Sequence, residues 1–234
     1  MLCRIAELLT EVPATGGMPS RCREYLESEE SIPEIFIRED RYRSENWPGQ
    51  DANLVSYMES GAQFHWALLW FNGLVLHASA AALGGRAYLF SGPCGRGKST
   101  HTRLWQQTFG DAVQVFNDDK PALRRLDGRW YAYGTPWCGK DGINLNQKWS
   151  LGGICFLEQA QENRIRRLSA AEALPLILAQ TTYRLQPQSM ELLLSSLDKL
   201  LREIPVFLLE NRPEEAAARL SFETMRRTAE EEGL

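Results

Sequence analysis

The feature that most constrains the fold of this chain is a glycine-rich loop between two predicted elements of regular structure. The loop reads Gly92-Pro93-Cys94-Gly95-Arg96-Gly97-Lys98-Ser99 and fits the pattern G-x-x-x-x-G-K-[ST] in full. An apolar run over 86–91 predicts a strand before the loop, and 99–109 predicts a helix after it. In such a loop successive N–H groups point inward as an anion nest, and the helix adds its positive end. The sequence therefore predicts a phosphate-binding loop.

Several residues of this loop are candidates for holding a nucleotide. The Lys98 ammonium can reach the β- and γ-phosphates, and the Ser99 hydroxyl can bind Mg²⁺. We therefore expect Mg²⁺ as the metal and ATP as a co-substrate, while the sequence contains no base-pocket motif that distinguishes ATP from GTP. The full set of expected nucleotide-binding residues in the loop is Gly92, Cys94, Gly95, Arg96, Gly97, Lys98, Ser99 and Thr100.

Two adjacent acids, Asp118 and Asp119, follow a predicted strand over 112–117. Paired carboxylates can divide two tasks, because one can hold Mg²⁺ while the other accepts a proton from an incoming hydroxyl. If the strands that end near 91 and 117 are neighbours, both acids come to lie near the glycine loop. The alternative for such a pair is a solvated turn, but its position at a strand end favours function.

The stretch 77–120 resembles the HPr kinase/phosphorylase and PEP carboxykinase superfamily. It is most similar to the small HPr-kinase-like proteins found beside ribosomal-peptide modification genes. The features that carry the resemblance are His77 before the loop, the loop itself with Ser91 and Thr100, and Asn117-Asp118-Asp119-Lys120. A weaker likeness extends through 134–140 to Asn211 and covers about two-thirds of the chain.

The resemblance implies a kinase that acts on a hydroxyl. It makes Asp118 the general base, with Lys98 and His77 as further catalytic residues, and it places His77 beside the acid pair. Ser99 and Asp119 would serve the metal, with Asp118 as a third candidate ligand. The chain carries no C-terminal signature of HPr kinases proper, which favours a serine of another peptide or small protein as the acceptor. Related kinases assemble, so the resemblance allows a homo-oligomer.

The pattern of turns predicts an α/β fold with a mixed sheet. Gly84-Gly85 and Asp127-Gly128 each separate two apolar-rich runs, which is typical of β-hairpins. A strand that enters the glycine loop from a hairpin runs antiparallel to its predecessor, so the sheet cannot be all parallel. We expect a single kinase-like domain over 1–234, similar to the C-terminal domain of HPr kinases and PEP carboxykinases. Within it, residues 1–60 are expected to form a β-rich N-terminal portion, for which the sequence pattern is less clear.

Later segments predict further helices. Ser169-Ala170-Ala171-Glu172 has the form of a capping box and should open a helix. A second amphipathic helix is predicted from apolar residues that recur at helical spacing, namely Met190, Leu193, Leu194, Leu197, Leu200 and Leu201. A strand over 204–209 and a last helix that begins near Pro213 complete the prediction.

The loop over 134–142 carries one further candidate. It combines backbone-permissive residues with a cation and an aromatic ring. It could close over the nucleotide or the acceptor, with Lys140 countering phosphate charge. An ordinary connection with a packed tryptophan is an equally good interpretation.

Composition argues against several classes of partner. The formal net charge is −4, whereas nucleic acids and anionic membranes attract clustered Lys and Arg. The longest apolar run, 66–71, is far shorter than the roughly 18 residues of a membrane span. The N-terminal segment has no signal-peptide form, and five scattered cysteines indicate reduced thiols. We expect a cytoplasmic protein without nucleic-acid or membrane partners.

Two hypotheses from different classes follow. The first is a Mg²⁺-ATP-dependent kinase. The second is a nucleotide-gated accessory protein that binds a peptide without phosphorylating it. Both bind ATP, and they differ in whether the γ-phosphate reaches an acceptor. Decarboxylation of the PEP-carboxykinase kind is disfavoured, because the chain is short and shows no cation-rich oxaloacetate site.

Overall fold

The computed structural model describes residues 1–28, 31–42, 47–181 and 187–234. Short 3₁₀ turns lie at Arg23–Tyr25, Glu39–Arg41, Leu69–Phe71 and Gly110–Ala112. The strands and helices of the described residues are, in chain order, β1 (Leu2–Ile5), β2 (Leu8–Glu11), α1 (Met18–Arg21), β3 (Ile35–Phe36), α2 (Ala52–Leu68), β4 (Gly73–Val75), β5 (Ala78–Leu83), β6 (Arg86–Ser91), α3 (Lys98–Phe109), β7 (Gln114–Asn117), β8 (Ala122–Leu126), β9 (Arg129–Tyr133), β10 (Lys148–Gln159), β11 (Arg164–Arg167), α4 (Ala170–Thr181), α5 (Pro187–Glu203), β12 (Val206–Asn211) and α6 (Glu215–Glu231).

The main sheet contains nine strands in the described part of the chain. Its strand order is β4-β8-β9-β10-β6-β5-β7, and β12 joins β10 to β11. The long strand β10 has β6 along one edge, and β9 and β12 share its other edge. Two pairings are parallel, β10 with β6 and β10 with β12, and the others are antiparallel. The prediction of an α/β fold with a mixed sheet is confirmed.

Both predicted hairpins are present. Gly84 and Gly85 have φ of +62° and +79° and join the antiparallel strands β5 and β6. Two successive positive φ values match the twist of the flanking strands, and glycine adopts them without a steric cost. In the second hairpin, Asp127 and Gly128 have φ of +48° and +82° between β8 and β9. Both turns therefore follow from local sequence alone.

The strand β5 lies between β6 and β7, so the two strands that precede the glycine loop and the acid pair are not direct neighbours. This differs from the simplest sequence expectation. Because β5 is antiparallel to both, β6 and β7 run in the same direction. Their C-terminal ends therefore meet at the same edge of the sheet. The interposed strand separates the two segments by one strand width and keeps them on one edge.

Helices cover both faces of the sheet, and β5 shows why. Its residues Ala78, Ala80 and Ala82 belong to the core that contains α4 and α5. Its residues Ala81 and Leu83 belong to the core that contains α3 and α6. Successive side chains of a strand point to opposite faces, so both faces of β5 are buried, and its one polar residue, Ser79, is hydrogen-bonded to Thr102 Oγ1 at 2.9 Å. The sheet is thus the middle layer of a three-layer arrangement.

Two of these helices have clear local causes. In α4 the predicted capping box forms, since the Ser169 N–H donates to Glu172 Oε2 at 2.8 Å and the Glu172 N–H donates to Ser169 Oγ at 3.3 Å. In α5 the predicted apolar stripe buries Leu193, Leu197 and Leu200 completely. Leu194 is 43% exposed and is not part of that buried stripe.

The N-terminal portion forms a separate three-stranded sheet with the order β1-β2-β3. It packs with α2 against residues of β8 and β9, and the shared core includes Phe64 and Trp137. Arg124 Nη1 donates to the Ala6 carbonyl at 2.5 Å, and the Tyr133 hydroxyl donates to Glu7 Oε2 at 2.8 Å. The assignment of 1–234 to a single domain stays a prediction.

Two further findings concern the chain as a whole. The five cysteines, all within the described ranges, are free thiols, and only Cys94 is exposed. Over the same ranges, every helix is too short or too polar to cross a membrane.

Candidate functional site

The glycine loop lies between β6 and α3, as the sequence predicts. Gly92, Gly95 and Gly97 have φ of +141°, +82° and +93°, a region that side chains with a Cβ rarely adopt. Gly97 is also the N-cap of α3, so the loop ends where that helix begins. The Lys98 ammonium donates to the carbonyls of Gly92 at 2.8 Å and Pro93 at 3.2 Å. The loop thus has three backbone positions that suit glycine, and the Lys98 ammonium is held against its carbonyls.

The remaining loop candidates lie toward solvent. Cys94, Gly95, Arg96 and Thr100 are exposed, and Ser99 is half-buried at the start of α3. From the end of β10, Gln159 Nε2 donates to the carbonyl of Gly95 at 3.4 Å. Sequence reasoning did not identify Gln159. Its contact with Gly95 follows only from the parallel pairing of β10 with β6, which brings the ends of these two strands together.

Sheet pairing ties the acid pair to this loop. The N–H of Ala78 donates to the carbonyl of Asp119 at 3.0 Å. Ala78 is opposite Ser91, the residue before Gly92. The Ser91 hydroxyl also donates to the carbonyl of His77 at 2.9 Å. The loop, His77 and Asp119 are therefore held at one edge of the sheet through β5.

Asp119 is surrounded by hydrogen-bond donors. Its Oδ2 accepts from the Tyr57 hydroxyl at 2.5 Å, and its Oδ1 accepts from Lys120 Nζ at 2.7 Å. His77 Nε2 lies 3.3 Å from Oδ1. Burial raises the pKa of Asp119, but Lys120, Tyr57 and His77 outweigh it and hold the pKa below its ordinary value. Asp119 is therefore a carboxylate that stays ionised at neutral pH.

Asp118 differs from its neighbour in both contacts and charge behaviour. Its Oδ1 accepts the Gly139 N–H at 2.6 Å and its Oδ2 accepts the Asp141 N–H at 3.1 Å. Burial raises the pKa of Asp118, and these backbone hydrogen bonds offset the rise only in part. No cation of the kind that Lys120 provides to Asp119 is among the causes of this shift. Asp118 is therefore the more basic of the two carboxylates.

His77 is neutral at physiological pH. Burial lowers the pKa of His77 to about 4, and Lys120 and Lys98 act in the same direction against the opposing effect of Asp119. The ring Nδ1 lies 3.0 Å from Gln180 Oε1. A neutral imidazole carries one ring proton, so it can donate to Gln180 Oε1 or to Asp119 Oδ1 but not to both at once. Its attraction for the Asp119 carboxylate contributes to the low pKa of that carboxyl.

The acid pair also affects the pKa of Lys98. Burial lowers the pKa of its ammonium group, while Cys94 and Asp119 act to raise it. The Lys98 ammonium and the Asp119 carboxylate therefore interact electrostatically. Sites for a metal-bound phosphate contain both a lysine for the phosphates and a carboxylate for the metal.

The loop over 134–142 is fastened to the acid pair by the two backbone contacts of Asp118. Lys140 lies between the two donor residues, Gly139 and Asp141, and its side chain is exposed. Asp141 in turn pairs with Arg103 on α3 at 2.5 Å. This loop therefore reaches the acid pair and the helix of the glycine loop together.

The side-chain atoms available at the site decide whether it could hold Mg²⁺. Among the described residues, no group of three or more His, Cys, Asp or Glu side chains is suited to hold a metal ion. Ser99, Asp118 and Asp119 offer only oxygen atoms, which is the donor type that Mg²⁺ prefers. Mg²⁺ at phosphate sites uses few protein ligands and keeps waters and phosphate oxygens. The residues present fit Mg²⁺ in that role.

Three residues that contact Asp119 or His77 were not predicted as part of the site. Lys120 directly follows Asp119 and could have been found from that adjacency. Tyr57 on α2 and Gln180 on α4 are separated from their partners by 62 and 103 residues. No local pattern marks either residue, because only the tertiary fold brings them to Asp119 and His77.

Comparison with known proteins gives a structural likeness only. No protein-family model matches the sequence, and no curated protein matches it. Among solved structures, 43 chains match. One is the HPr(Ser) kinase/phosphatase from Coxiella burnetii, with a TM-score of 0.38 and 13% identity over 67% of this chain and 95% of that chain.

That neighbour is of the kind that the sequence resemblance named. At 13% identity and a TM-score of 0.38, however, the likeness does not reach the level of residues. What this chain does is therefore inferred from its own site.

Proposed function

We propose that this chain is a Mg²⁺-ATP-dependent kinase that transfers the γ-phosphate of ATP to a hydroxyl group. The acceptor would be a serine of a peptide or small protein. One observation carries the proposal. A loop with three positive-φ glycines and a lysine across its mouth lies at the same sheet edge as two carboxylates of different basicity.

Asp118 is the general base of the proposed reaction. It accepts the proton of the acceptor hydroxyl, which attacks the γ-phosphorus in line while the bond to the leaving β-phosphate oxygen breaks. A pKa raised by burial favours this role, since a base works best when its pKa approaches the working pH. Each carboxylate oxygen of Asp118 accepts one backbone N–H and keeps a second lone pair for the hydroxyl.

Asp119 and Ser99 would hold Mg²⁺, with Asp118 as a third candidate ligand. The metal supplies charge neutralisation for the phosphate oxygens. Tyr57 and His77 orient the Asp119 carboxylate, and Lys120 keeps it ionised. These residues therefore act through Asp119 and not on the phosphate itself.

Lys98 and the backbone N–H groups of 92–99 stabilise the charge on the transferring group. A cation and preorganised donors in a partly buried loop need no reorganisation when charge moves during transfer. Lys140 extends from the segment fastened to Asp118 and would add a second positive charge from the acceptor side. Catalysis of this kind is mainly positioning and electrostatics, so few side chains are required.

The experiment that tests the proposal is transfer of labelled phosphate. The purified chain is incubated with γ-labelled ATP, Mg²⁺ and serine-containing peptides encoded by neighbouring genes, and the products are read by mass spectrometry. We expect a mass increase of one phosphate on a peptide serine. Lys98→Met, which removes the cation of the loop, should abolish both ATP binding and transfer. Unlabelled peptides in the presence of bound ATP would contradict the proposal.

A second function is favoured by one contact set. Both oxygens of Asp118 are occupied by the backbone of 139–141, as they would be in a carboxylate that only fastens a loop. In that case the chain is a nucleotide-gated protein that binds a peptide without phosphorylating it. The same labelling experiment separates the two functions, because the accessory protein binds ATP and leaves every acceptor unlabelled.

A further inference from the structure

Arg21, the last residue of α1, contacts two segments that reach the acid pair. Its Nη1 donates to the carbonyl of Cys138 at 2.8 Å and to Cys138 Sγ at 2.9 Å. Its guanidinium group also covers the ring of Tyr57, with 4.7 Å between Cζ and the ring centroid. One side chain of the N-terminal portion therefore joins α2 to the loop over 134–142.

The contact with Cys138 leads to Asp118. Cys138 precedes Gly139, whose N–H donates to Asp118 Oδ1 at 2.6 Å. Burial raises the pKa of the Cys138 thiol, Arg21 lowers it, and Asp118 raises it further. The same thiol thus lies within electrostatic range of the guanidinium group and of the carboxylate. By holding Cys138, Arg21 holds the residue next to an N–H that orients Asp118.

The contact with Tyr57 leads to Asp119. The Tyr57 hydroxyl donates to Asp119 Oδ2 at 2.5 Å. A guanidinium group over the face of an aromatic ring attracts it electrostatically. Because the hydroxyl is fixed to that ring, a group that holds the ring in place also holds the donor of Asp119.

The backbone of Arg21 makes a third contact with the same region. Its carbonyl accepts from Asn144 Nδ2 at 2.7 Å. Asn144 forms an isolated antiparallel bridge with Asn117, the residue before Asp118. Side chain and backbone of Arg21 are therefore both bound to segments beside the acid pair.

The short helix α1 is itself packed closely against α2. Met18 is fully buried, and a Cβ on Gly16 would lie only 2.9 Å from the Cβ of Ser56. Gly16 also has φ of +57°, which glycine adopts without a steric cost. Arg21 therefore extends from a support that is fixed to the helix carrying Tyr57.

We propose that Arg21 is a positioning residue that orients both carboxylates of the acid pair, which makes the N-terminal portion a part of the phosphate-transfer site. The inference deepens the proposed function and rests on it. Arg21 acts on Asp118 through Cys138 and on Asp119 through Tyr57. Lysine is a poor substitute, because its single amine cannot both cover the ring and donate to Cys138 as a planar guanidinium group does.

The first test measures phosphate transfer in Arg21→Met, which keeps an unbranched apolar side chain and removes the guanidinium group. We expect kcat to fall by about 10- to 100-fold, because a small misplacement of reacting groups is costly, while the Kd for ATP stays within about twofold. Arg21→Lys should lose activity in the same direction. Arg23→Met is the same change at an exposed position two residues later and should keep the wild-type kcat. Equal kcat values in Arg21→Met and Arg23→Met would overturn the inference.

The second test asks whether Arg21 acts through Tyr57. In the Tyr57→Phe background the ring remains but its hydroxyl no longer binds Asp119. The loss of kcat caused by Arg21→Met should therefore be several-fold smaller in Tyr57→Phe than in the wild type, since residues that act through one another are not additive. Fully additive losses would overturn the route through Tyr57.

The third test needs no phosphate transfer. Amide hydrogen exchange is followed by NMR in the ¹⁵N-labelled full-length protein. The N–H groups of Gly139 and Asp141, which bind Asp118, should exchange roughly tenfold faster in Arg21→Met, while those of β6 and β10 exchange as in the wild type. Arg21→Lys gives a second measurement in a chain that keeps its charge. Unchanged exchange at Gly139 and Asp141, or an equal rise in β6 and β10 in both variants, would overturn the positioning role.

The inference and the proposed function fail in different ways. Labelled peptides from the wild type, with unchanged kcat and exchange in Arg21→Met, overturn the positioning role and leave the kinase function standing. A wild type that labels no peptide removes the kinase function and with it the role of Arg21 in transfer. Faster exchange at Gly139 would then show only that Arg21 fastens the loop over 134–142.

Discussion

At the scale of single residues, Asp118 should matter for transfer and not for nucleotide binding. Asp118→Asn keeps the shape of the side chain but cannot accept a proton from the acceptor. We expect phosphate transfer to fall by about 10²–10⁴-fold, while the Kd for ATP stays within about twofold of wild type. Steady-state rates with γ-labelled ATP and calorimetric ATP binding measure the two quantities.

A matched control is available in the second hairpin. Asp127 is exposed in the turn between β8 and β9 with φ of +48°, a conformation that Asn tolerates well. Asp127→Asn removes one negative charge and should leave transfer unchanged. Comparable turnover in Asp118→Asn and wild type would refute the base assignment, and so would an equal loss in both variants.

Tyr57 should act through the charge of Asp119. Its hydroxyl donates to Asp119 Oδ2 at 2.5 Å, and a hydrogen bond to the ionised form lowers the pKa of a carboxyl. Tyr57→Phe should raise the pKa of Asp119. If transfer requires ionised Asp119, the acid limb of the rate–pH profile moves to higher pH.

The profile of kcat/KM against pH gives the measurement for Tyr57→Phe. Tyr131→Phe, on β9 and half-buried, is the control and should leave the acid limb in place. An acid limb that is identical in Tyr57→Phe and wild type would show that Tyr57 does not act on the ionisation that governs the rate.

The sequence predicted the residues of the site that belong to local patterns. The glycine loop has a fixed spacing, and Asp118 and Asp119 adjoin a strand end. His77 was found through resemblance, with no pattern of its own. Tyr57, Gln180 and Gln159 could not be predicted, because each contact joins segments at least 62 residues apart. The catalytic and nucleotide-binding roles of the glycine loop, His77, Asp118 and Asp119 stay predictions until transfer is measured.

At the scale of elements, the capping box of α4 should contribute to stability. Ser169 Oγ accepts the Glu172 N–H, and Glu172 Oε2 accepts the Ser169 N–H. Ser169→Ala removes one cap and should lower the free energy of unfolding by about 1 kcal/mol. Ser195→Ala is the same change at an exposed position within α5 and should be neutral or slightly stabilising, because Ala favours the helix interior. Urea unfolding of both variants measures the difference, and equal stability of the two variants would contradict the role of the cap.

Elements were predicted well where short-range chemistry decides them. The turns at Gly84-Gly85 and Asp127-Gly128, the helix after the glycine loop and the capping box all depend on residues within a few positions of one another. The insertion of β5 between β6 and β7, and the pairing of β11 with β12, depend on how distant strands meet. Hydrophobic periodicity carries no information about strand order.

At the scale of the whole molecule, two buried histidines far apart in sequence share one property. On α2, His65 Nδ1 accepts the Val75 N–H at 3.1 Å, and on α3, His101 Nε2 lies 2.9 Å from Ser221 Oγ of α6. Burial lowers the pKa of each to about 4, whereas an unfolded histidine has a pKa near 6.5. Between these values the unfolded chain binds protons that the folded chain does not. Stability should therefore fall as pH decreases from about 6.5 toward 4.

The expected loss at pH 5 is about 2 kcal/mol for each of these two histidines. His77, whose pKa is also lowered to about 4 by burial, adds to the loss in the same pH range. The low pKa of Asp119 adds to the loss at more acidic pH, and the raised pKa of Asp118 opposes it. Guanidinium unfolding followed by tryptophan fluorescence at pH 7 and pH 5 measures the total. In His101→Gln, whose amide can still reach Ser221, the difference between the two pH values should shrink by about 2 kcal/mol. A difference as large as that of wild type would contradict the expectation. It would show that His101 is protonated in the folded protein even though its side chain is buried between α3 and α6.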